Sequence, residues 1–219
     1  MTEALIIGLL AAAVALAVFT WLGREVLTGL TPALDDRIRQ TVYGAASPTL
    51  TAIMRFASRY GGPAGLTPVG IVLALAFVIR GWRRGAVLVV VTMAGAGLLD
   101  ALLKLSFGRV RPTPFFDYPL PVSASFPSGH ALFSACFFGG LAVLVSHRVR
   151  HQLLRVAVWV VALSIIALVG LSRIYLGVHY PSDVLAGCAA ATVWVAAVAF
   201  GDRLFMHRLR RRSGGQRAA

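Results

Sequence analysis

Two histidines and an aspartate have the types and the spacing of a nucleophilic site. His179 and Asp183 are four residues apart, so a helix beginning near Pro181 would set a carboxylate beside an imidazole. A carboxylate on one ring nitrogen fixes the tautomer and raises the nucleophilicity of the other nitrogen. His130 has no carboxylate close to it in the sequence and suits general acid catalysis on a leaving oxygen. We therefore interpret His179 as a nucleophile that Asp183 orients, and His130 as a general acid.

Three cationic side chains supply the charge that an anionic substrate needs. Lys104 is the only lysine in the chain, and Arg111 follows it by seven residues, which is close to two helical turns. The two side chains would point the same way if one helix carried both. Arg173 lies at the end of a later apolar run. Because arginine binds phosphate through two parallel hydrogen bonds, these cations predict a phosphate site.

The segment FPSGH at 126–130 adds a second kind of anion-binding group. Pro127 suits the first position of a helix, and the apolar run after it predicts that a helix begins there. The backbone N–H groups of Ser128 and Gly129 would then lie free at a helix N-terminus, where anions bind. We expect these amides to bind the same phosphate as the three cations.

The elements that hold these residues are apolar runs long enough to cross a membrane. The chain is 58% hydrophobic and 13% charged, whereas soluble domains carry about 25% charged residues. Runs of about 20 residues with almost no charge match a hydrocarbon core about 30 Å thick. The expected fold is therefore all-α, a polytopic membrane protein with six transmembrane helices. Their expected ranges are 4–23, 63–82, 86–106, 127–146, 153–173 and 181–200.

Arginines mark one side of this arrangement. Six alternating spans place both termini on one side, and twelve arginines fall on that same side. Arginine-rich loops stay in the cytoplasm, so we expect cytoplasmic termini and a chemical site at the outer, periplasmic face of the inner cell membrane. His147, His151 and His207 lie in the arginine-rich stretches and are expected to be solvated. The arginines are Arg80, Arg83, Arg84, Arg148, Arg150, Arg155, Arg203, Arg208, Arg210, Arg211, Arg212 and Arg217.

The same topology brings the chemistry-bearing residues to the outer face. Each has an ordinary explanation by itself, because Lys104 can extend to the interface and His179 can anchor a helix end there. Their convergence at the ends of four helices favours a functional site, since ionisable groups at membrane depth are costly. The predicted site residues are Lys104, Arg111, Ser128, Gly129, His130, Arg173, His179 and Asp183.

Residues 24–62 lie outside the six spans, on the outer side. Thr31–Pro32 and Ser47–Pro48 are helix-start signals, Gly61–Gly62 is a stop signal, and apolar residues recur every four positions over 34–42. These features predict two short amphipathic helices in the membrane interface. An ordinary polar loop is the alternative.

Other classes of protein and site fit the sequence poorly. The net charge is +13, but the basic residues flank spans and form no basic face, which disfavours nucleic-acid binding. Cys136 and Cys188 lie in apolar runs without metal-ligand spacing, so no metal or cofactor is expected. We expect one membrane-embedded domain over 1–219 that ends in a disordered, basic cytoplasmic tail at 203–219.

Three motifs resemble the signatures of the type 2 phosphatidic acid phosphatase superfamily, in the family's order. They occupy 104–112 (KLSFGRVRP), 127–130 (PSGH) and 172–183 (SRIYLGVHYPSD). The six-span layout with an interfacial segment also resembles bacterial membrane members, so the resemblance covers nearly the whole chain. It implies metal-independent catalysis, with His179 forming a phosphohistidine, Asp183 orienting it and His130 as general acid. It also implies phosphate binding by Lys104, Arg111, Ser128, Gly129 and Arg173.

The expected function is therefore hydrolysis of a lipid phosphomonoester or pyrophosphate in the membrane. Members of the family include phosphatidylglycerophosphate, undecaprenyl pyrophosphate and lipid A phosphatases, and phosphatidic acid is a further candidate substrate. Soluble vanadium haloperoxidases share the site but not this hydropathy, which disfavours their reaction. Phosphotransfer to another lipid and non-catalytic phospholipid binding are the alternatives. The head group, the oligomeric state and the role of the proline- and aromatic-rich loop 113–126 stay open at this stage.

Overall fold

Helices make up the regular structure of this protein. The computed structural model describes the backbone of residues 2–30 and 32–215, and the side chains of 6–30 and 33–209. Within these residues all regular structure is helical, as expected from the composition. The helices in chain order are α1 (Thr2–Thr28), α2 (Pro32–Gly44), α3 (Pro48–Gly61), α4 (Pro63–Ile79), α5 (Arg83–Phe107), α6 (Gly129–Ser146), α7 (Gln152–Tyr175) and α8 (Pro181–Gly215).

The predicted membrane spans correspond to these helices. α1, α5, α6, α7 and α8 are each long and apolar enough to cross a membrane. α4 has only 17 residues, but it joins α3 across a bend of 50°, and the two together meet the same test. The polytopic, all-α prediction is confirmed with five candidate spans among the described residues, or six if the bent pair of α3 and α4 counts as one span.

Two further helices lie between the first and second predicted spans, and the alternative of a polar loop is wrong. Ser47 caps α3, since its Oγ accepts a hydrogen bond from the backbone N–H of Leu50 at 3.2 Å. Gly62 separates α3 from α4, as the stop signal predicted. Thr31, the predicted cap of α2, lies outside the described residues.

The helix α2 turns its charged face towards the protein. Asp35 and Arg39 are 3% and 5% exposed, whereas Leu34 and Ile38 are 65% and 37% exposed. This is the reverse of a soluble amphipathic helix, whose apolar stripe faces the core. It is the arrangement of a helix that lies at a membrane surface with its apolar stripe towards lipid.

The helix α6 is the most buried span. Its first helical residue is Gly129, and the expectation that Pro127 occupies the first helical position is wrong, because Ser128 is the N-cap. The expectation of a free Ser128 N–H is also wrong, because that group donates to the Asp183 backbone carbonyl at 2.9 Å. A π-helical turn, Ala135–Gly139, interrupts α6 in its middle. Small side chains such as Ala96 of α5 surround this turn and let the helices approach closely.

The end of α5 differs from the expectation. The helix ends at Phe107, and Gly108 follows in the left-handed conformation with φ 58°. That conformation suits glycine and ends many helices. Lys104 and Arg111 therefore do not share a helix, and their proximity depends on the connection that follows.

The C-terminal tail also differs from the expectation. Residues from 203 onward were expected to be disordered, but α8 continues to Gly215. The start of this stretch is tied to two neighbouring elements, since Asp202 pairs with Arg84 of α5. In addition, Arg203 Nη2 lies 2.9 Å from His147 Nε2 after α6. These contacts stabilise a helix where the charge run alone predicted none.

Candidate active site

One end of the helical bundle holds the predicted site residues. Lys104 is in the last turn of α5 and Arg173 in the last turn of α7. His130 opens α6, and Asp183 lies in the first turn of α8. The connections before α6 and α8 supply the remaining members, which include Arg111. Four helix ends and two connections therefore build one site.

The carboxylate of Asp183 lies beside the ring of His179. Its Oδ2 is 3.4 Å from His179 Nδ1 and accepts hydrogen bonds from Ser125 Oγ at 2.5 Å and from the Tyr180 N–H at 2.9 Å. His179 and Asp183 are 1% and 0% exposed. The arrangement fits a proton on Nδ1 that faces the carboxylate and a lone pair on Nε2.

The charge state of His179 suits a nucleophile. Burial lowers the pKa of His179 to about 4; Asp183 opposes this shift, and the charges of Arg111 and Arg173 add to it. A histidine with this pKa is neutral at physiological pH. Only the neutral ring has a free electron pair with which to attack phosphorus.

Arg111 lies against Nε2, the other ring nitrogen of His179. Its Nη1 is 2.9 Å from His179 Nε2 and donates to the Val178 carbonyl at 2.9 Å. Its Nε donates to the Ser123 carbonyl at 2.7 Å. Burial and the charge of Arg173 lower the pKa of Arg111 to about 10, so it remains a cation at neutral pH. Two guanidinium groups that repel each other indicate a place for an anion.

Arg173 is buried, with 1% exposure. It donates a short hydrogen bond to Ser58 of α3, and its guanidinium carbon lies 5.6 Å from the ring centre of Tyr118. Its Nε and the Oγ of Ser128 are buried atoms without a hydrogen-bond partner among the described residues. Because buried polar atoms are nearly always satisfied, these two donors are available to a bound anion.

Lys104 approaches the start of α6 through a space that only glycine leaves open. Its Nζ donates to Asp100 Oδ2 at 2.9 Å. A Cβ on Gly129 would lie 2.6 Å from Asp100 Oδ1 and 3.2 Å from Lys104 Nζ. Any side chain at 129 would therefore separate the lysine from the N-terminal amides of α6.

His130 packs against the bend between α3 and α4. A Cβ on Gly62 would overlap Nε2 and Cδ2 of the imidazole and would lie 3.0 Å from its Cε1. As a whole residue, His130 is intermediate in burial, whereas His179 is buried.

Several side chains of the site were not among the predicted residues. Two of them had a sequence signal. Asp100 precedes Lys104 by four residues on one helix, a spacing typical of an ion pair, and Arg109 lies inside the motif at 104–112. The other three come from α2, α3 and the connection before α6, and no sequence spacing relates them to the motifs. The missed residues are Asp35, Ser58, Asp100, Arg109 and Ser125.

The aromatic residues of loop 113–126 anchor it to the protein. Phe115 stacks on a tyrosine of α2 with ring centroids 4.3 Å apart, and Phe116 stacks on the last residue of α7 at 5.2 Å. Tyr118 Oη lies 3.1 Å from a serine hydroxyl of α3. Val122, by contrast, is fully exposed, so any apolar rim belongs to the later part of the loop.

Two cavities lie at different ends of the bundle. A cavity of about 290 Å³ has Met93, Phe137 and Asp202 in its wall, at the end away from His179. An open depression of about 340 Å³ lies beside Arg111, between 108–111 and 120–124. The second one adjoins the site and is bordered by the exposed part of the loop.

Known proteins resemble this chain in sequence. A sequence model of the PAP2 superfamily matches residues 85–203. Phosphatidylglycerophosphatase B of Bacillus subtilis is 31% identical over 170 residues, which cover 77% of this chain and 83% of that protein. Undecaprenyl-diphosphatase of Sulfolobus acidocaldarius is 34% identical over 146 residues, which cover 64% of each. Lipid A 1-phosphatase of Rhizobium etli is 39% identical over 107 residues, and this chain spans only 42% of its length.

Solved structures resemble this fold as well. The crystal structure of a transmembrane PAP2-type phosphatidylglycerophosphate phosphatase from Bacillus subtilis superposes with a TM-score of 0.77 and 28% identity. The likeness covers 88% of this chain and 96% of that one. The crystal structure of Aquifex aeolicus LpxE has a TM-score of 0.58 and 22% identity over 77% of this chain and 95% of that one, a likeness of fold.

Proposed function

This chain belongs to the PAP2 superfamily, and we propose that it is a membrane lipid phosphatase that releases phosphate from a lipid phosphomonoester or pyrophosphate through a phosphohistidine on His179. The observation that carries the proposal is the state of that histidine. It is buried and neutral, Asp183 lies on one ring nitrogen, and Arg111 lies on the other.

The substrate phosphate takes the space between the three cations and the start of α6. Arg111 transfers a hydrogen bond from His179 Nε2 to a phosphate oxygen, which frees the nitrogen for attack. Arg173 Nε and Ser128 Oγ donate to the same group, and both atoms are buried and unpartnered among the described residues. Lys104 and the backbone N–H of Gly129 complete the shell.

The reaction proceeds in two displacements at phosphorus. In the first, the lone pair of His179 Nε2 forms an N–P bond while the bond from phosphorus to the lipid oxygen breaks. His130 gives its proton to that leaving oxygen. In the second, His130 accepts a proton from water, the water oxygen forms a bond to phosphorus, and the N–P bond breaks. The products are the dephosphorylated lipid, free phosphate and the original enzyme.

Metal independence is part of the proposal. Within the residues that the structure describes, no group of three or more His, Cys, Asp or Glu side chains could hold a metal ion. Lys104, Arg111 and Arg173 have the positive charge that neutralises the developing phosphorane. Their N–H groups can donate hydrogen bonds to the phosphate oxygens without a bridging metal ion.

A lipid head group is the substrate class that the surroundings favour. Val110 and Val122 are 82% and 107% exposed and lie beside Arg111 at the open depression. Exposed apolar side chains next to a phosphate site suit a molecule with a charged head and an apolar tail. Phosphatidylglycerophosphate is the first candidate, because the relative named for it matches most of this chain.

The site faces outward from the cytoplasm in this proposal, with both termini inside. The arginine-rich connections after α4 and α6 meet the end of α8 at the opposite end of the bundle, where Arg84 pairs with Asp202. Their positive charge supports a cytoplasmic location for that end.

Phosphate release from purified protein tests the proposal directly. The panel comprises phosphatidylglycerophosphate, phosphatidic acid, undecaprenyl pyrophosphate and lipid A, each assayed with and without a metal chelator. We expect phosphate release from at least one lipid, insensitive to the chelator and abolished in His179→Gln. His151→Gln, a change at an exposed histidine of the opposite end, is the matched control and should keep activity.

Other outcomes identify the alternatives. Loss of lipid phosphate without free phosphate, together with a newly phosphorylated lipid, would indicate phosphotransfer. Binding of a lipid phosphate without turnover of any substrate would indicate a non-catalytic role. Activity that the chelator removes and Mg²⁺ restores would contradict the assignment of the three cations.

A further inference from the structure

Arg109 is shared between two buried carboxylates. Its Nη2 donates to Asp35 Oδ2 at 2.8 Å, and its Nη1 donates to Asp183 Oδ1 at 2.6 Å. The side chains of Asp35 and Asp183 are 5% and 0% exposed. The guanidinium lies 4.0 Å from the ring centre of Tyr180. One arginine thus connects the interfacial helix α2 with the carboxylate beside His179.

Asp35 also holds the start of α8. Its Oδ1 accepts a hydrogen bond from the Ser182 backbone N–H at 3.0 Å, and its Oδ2 accepts one from the Ser182 hydroxyl at 2.6 Å. Ser182 directly precedes Asp183. A continuous chain of contacts therefore runs from Asp35 through Arg109 and Asp183 to the nucleophile.

The charges along this chain affect His179. The Asp35–Arg109–Asp183 network carries a net charge of one negative on the Nδ1 side of the imidazole, opposite the guanidinium of Arg111. If Asp35 were neutral, the positive charge of Arg109 would no longer be shared between two carboxylates and would cancel more of the negative charge of Asp183. In a poorly solvated site, that loss weakens the stabilisation of any positive charge on the ring.

We propose that Asp35 is a positioning residue for the phosphatase reaction. By sharing Arg109, it leaves the negative charge of Asp183 less neutralised as His179 attacks phosphorus. The inference rests on the proposed function. When the Nε2 lone pair forms the N–P bond, the departing oxygen takes the P–O electron pair and the proton of His130. The ring then carries a positive charge, with its Nδ1–H facing Asp183. Asp35 makes that charged ring less costly without touching the substrate.

The pH dependence of activity reports this effect. The groups that face His179 are Asp183 of α8, Arg173 of α7, His130 of α6, and Arg111 and Ser125 of the connection before α6. Activity falls as the pH drops through the pKa of His179, because the protonated ring cannot attack. Removing the negative charge of Asp35 disfavours the protonated ring and lowers this pKa further. The acid limb of the pH profile, the range in which kcat/KM falls as the pH drops, then moves to lower pH.

Two substitutions at position 35 separate charge from shape. Asp35→Asn keeps the size, and its single carbonyl oxygen can still accept the hydrogen bond of the Ser182 backbone N–H, but it removes the charge. Asp35→Glu keeps the charge and overfills the site. We expect Asp35→Asn to lose about tenfold in kcat on an aryl phosphate, as outer partners of functional histidines do, with KM nearly unchanged and the acid limb at lower pH. Asp35→Glu should lose thermal stability yet keep the acid limb.

A matched control and a double variant complete the experiment. Asp36→Asn changes the neighbouring, half-exposed carboxylate and should leave kcat and the acid limb in place. In an Arg109→Gln background, Asp35→Asn should add little, because contacting groups that act in series are not additive. If Asp35 has a purely structural role, Asp35→Asn should lose less kcat per folded molecule than Asp35→Glu. A smaller loss in Asp35→Asn, or no shift in the acid limb of its pH profile, would overturn the proposal.

A readout without substrate separates this inference from the proposed function. Nuclear magnetic resonance of ¹⁵N-histidine protein, with His179 assigned by its loss in His179→Gln, follows protonation of the ring directly. A lower pKa of His179 in Asp35→Asn than in the wild type, together with an unchanged pKa in Asp36→Asn, would support the electrostatic connection. An unchanged pKa in Asp35→Asn would contradict the connection even if the wild type releases phosphate. A wild type without phosphatase activity would instead refute the function.

Discussion

The two histidines of the site have different surroundings. His179 is 1% exposed, with Asp183 on one ring nitrogen and Arg111 on the other. His130 is partly exposed and packs against the backbone of Gly62. The first surroundings favour a neutral ring with a directed lone pair, and the second allow proton exchange with a leaving group and with water. The environments therefore support the division of roles that the motif spacing predicts.

This division predicts that the two histidines differ in their dependence on the leaving group. An alkoxide leaving from a phosphomonoester is a strong base, whereas a lipid phosphate leaving from a pyrophosphate has a second pKa of only about 6. General acid catalysis contributes about 10²- to 10⁴-fold, and less for a stable leaving group. His130→Ala should therefore lose far more activity on a lipid monophosphate than on a lipid pyrophosphate or an aryl phosphate, whereas His179→Ala should lose all three.

Single-turnover rates provide the measurement, because they exclude limitation by product release. Equal losses on all three substrates in His130→Ala, with His179→Ala sparing the aryl phosphate, would show that the two roles are reversed.

At the scale of elements, apolar length predicted the spans well, since a bilayer imposes one thickness on every helix. Helix ends were less predictable because they depend on single residues. Gly108, in its left-handed conformation, ends the helix that carries Lys104, so Arg111 does not lie on that helix. The contribution of α2 was not predictable, because its buried charges meet partners that lie about 70 or more residues away. Tertiary contacts of this kind leave no local periodicity in a sequence.

The bend between α3 and α4 positions the imidazole of His130, the proposed general acid. Gly62 has φ −92°, which any residue adopts, so space and not backbone freedom requires glycine here. We expect Gly62→Ala to displace the His130 imidazole. Because a misplacement of about 1 Å can cost up to about 100-fold, activity on a lipid monophosphate should fall towards that of His130→Ala. Activity on an aryl phosphate should be partly spared.

Gly201→Ala is the control for the bend, since a Cβ at that position of α8 has no atom within 4 Å. It should leave both activities unchanged. Equal losses of Gly62→Ala on both substrates, with an unchanged melting temperature, would show that the bend does not act through His130.

The whole molecule has two chemically different ends. One end holds the buried site and is closed by α2, α3 and loop 113–126. The other end carries arginine-rich connections whose side chains contact one another across helices, as Arg148 does over the ring of Trp82 at 3.7 Å. The arginines of the sequence indicate that this second end faces the cytoplasm. Because the structure separates the two ends, labelling experiments can test that orientation.

Single cysteines at the two ends test the orientation. The background replaces Cys136 and Cys188 by alanine, which suits the close approach of helices at the π-helical turn. Val122→Cys lies beside the site, where the native side chain is fully exposed, and Arg150→Cys lies in an exposed position between α6 and α7. Because arginine-rich loops are retained in the cytoplasm, an impermeant maleimide should label position 122 in intact cells and position 150 only after permeabilisation. Labelling of 150 but not 122 in intact cells would place the phosphate site on the cytoplasmic face.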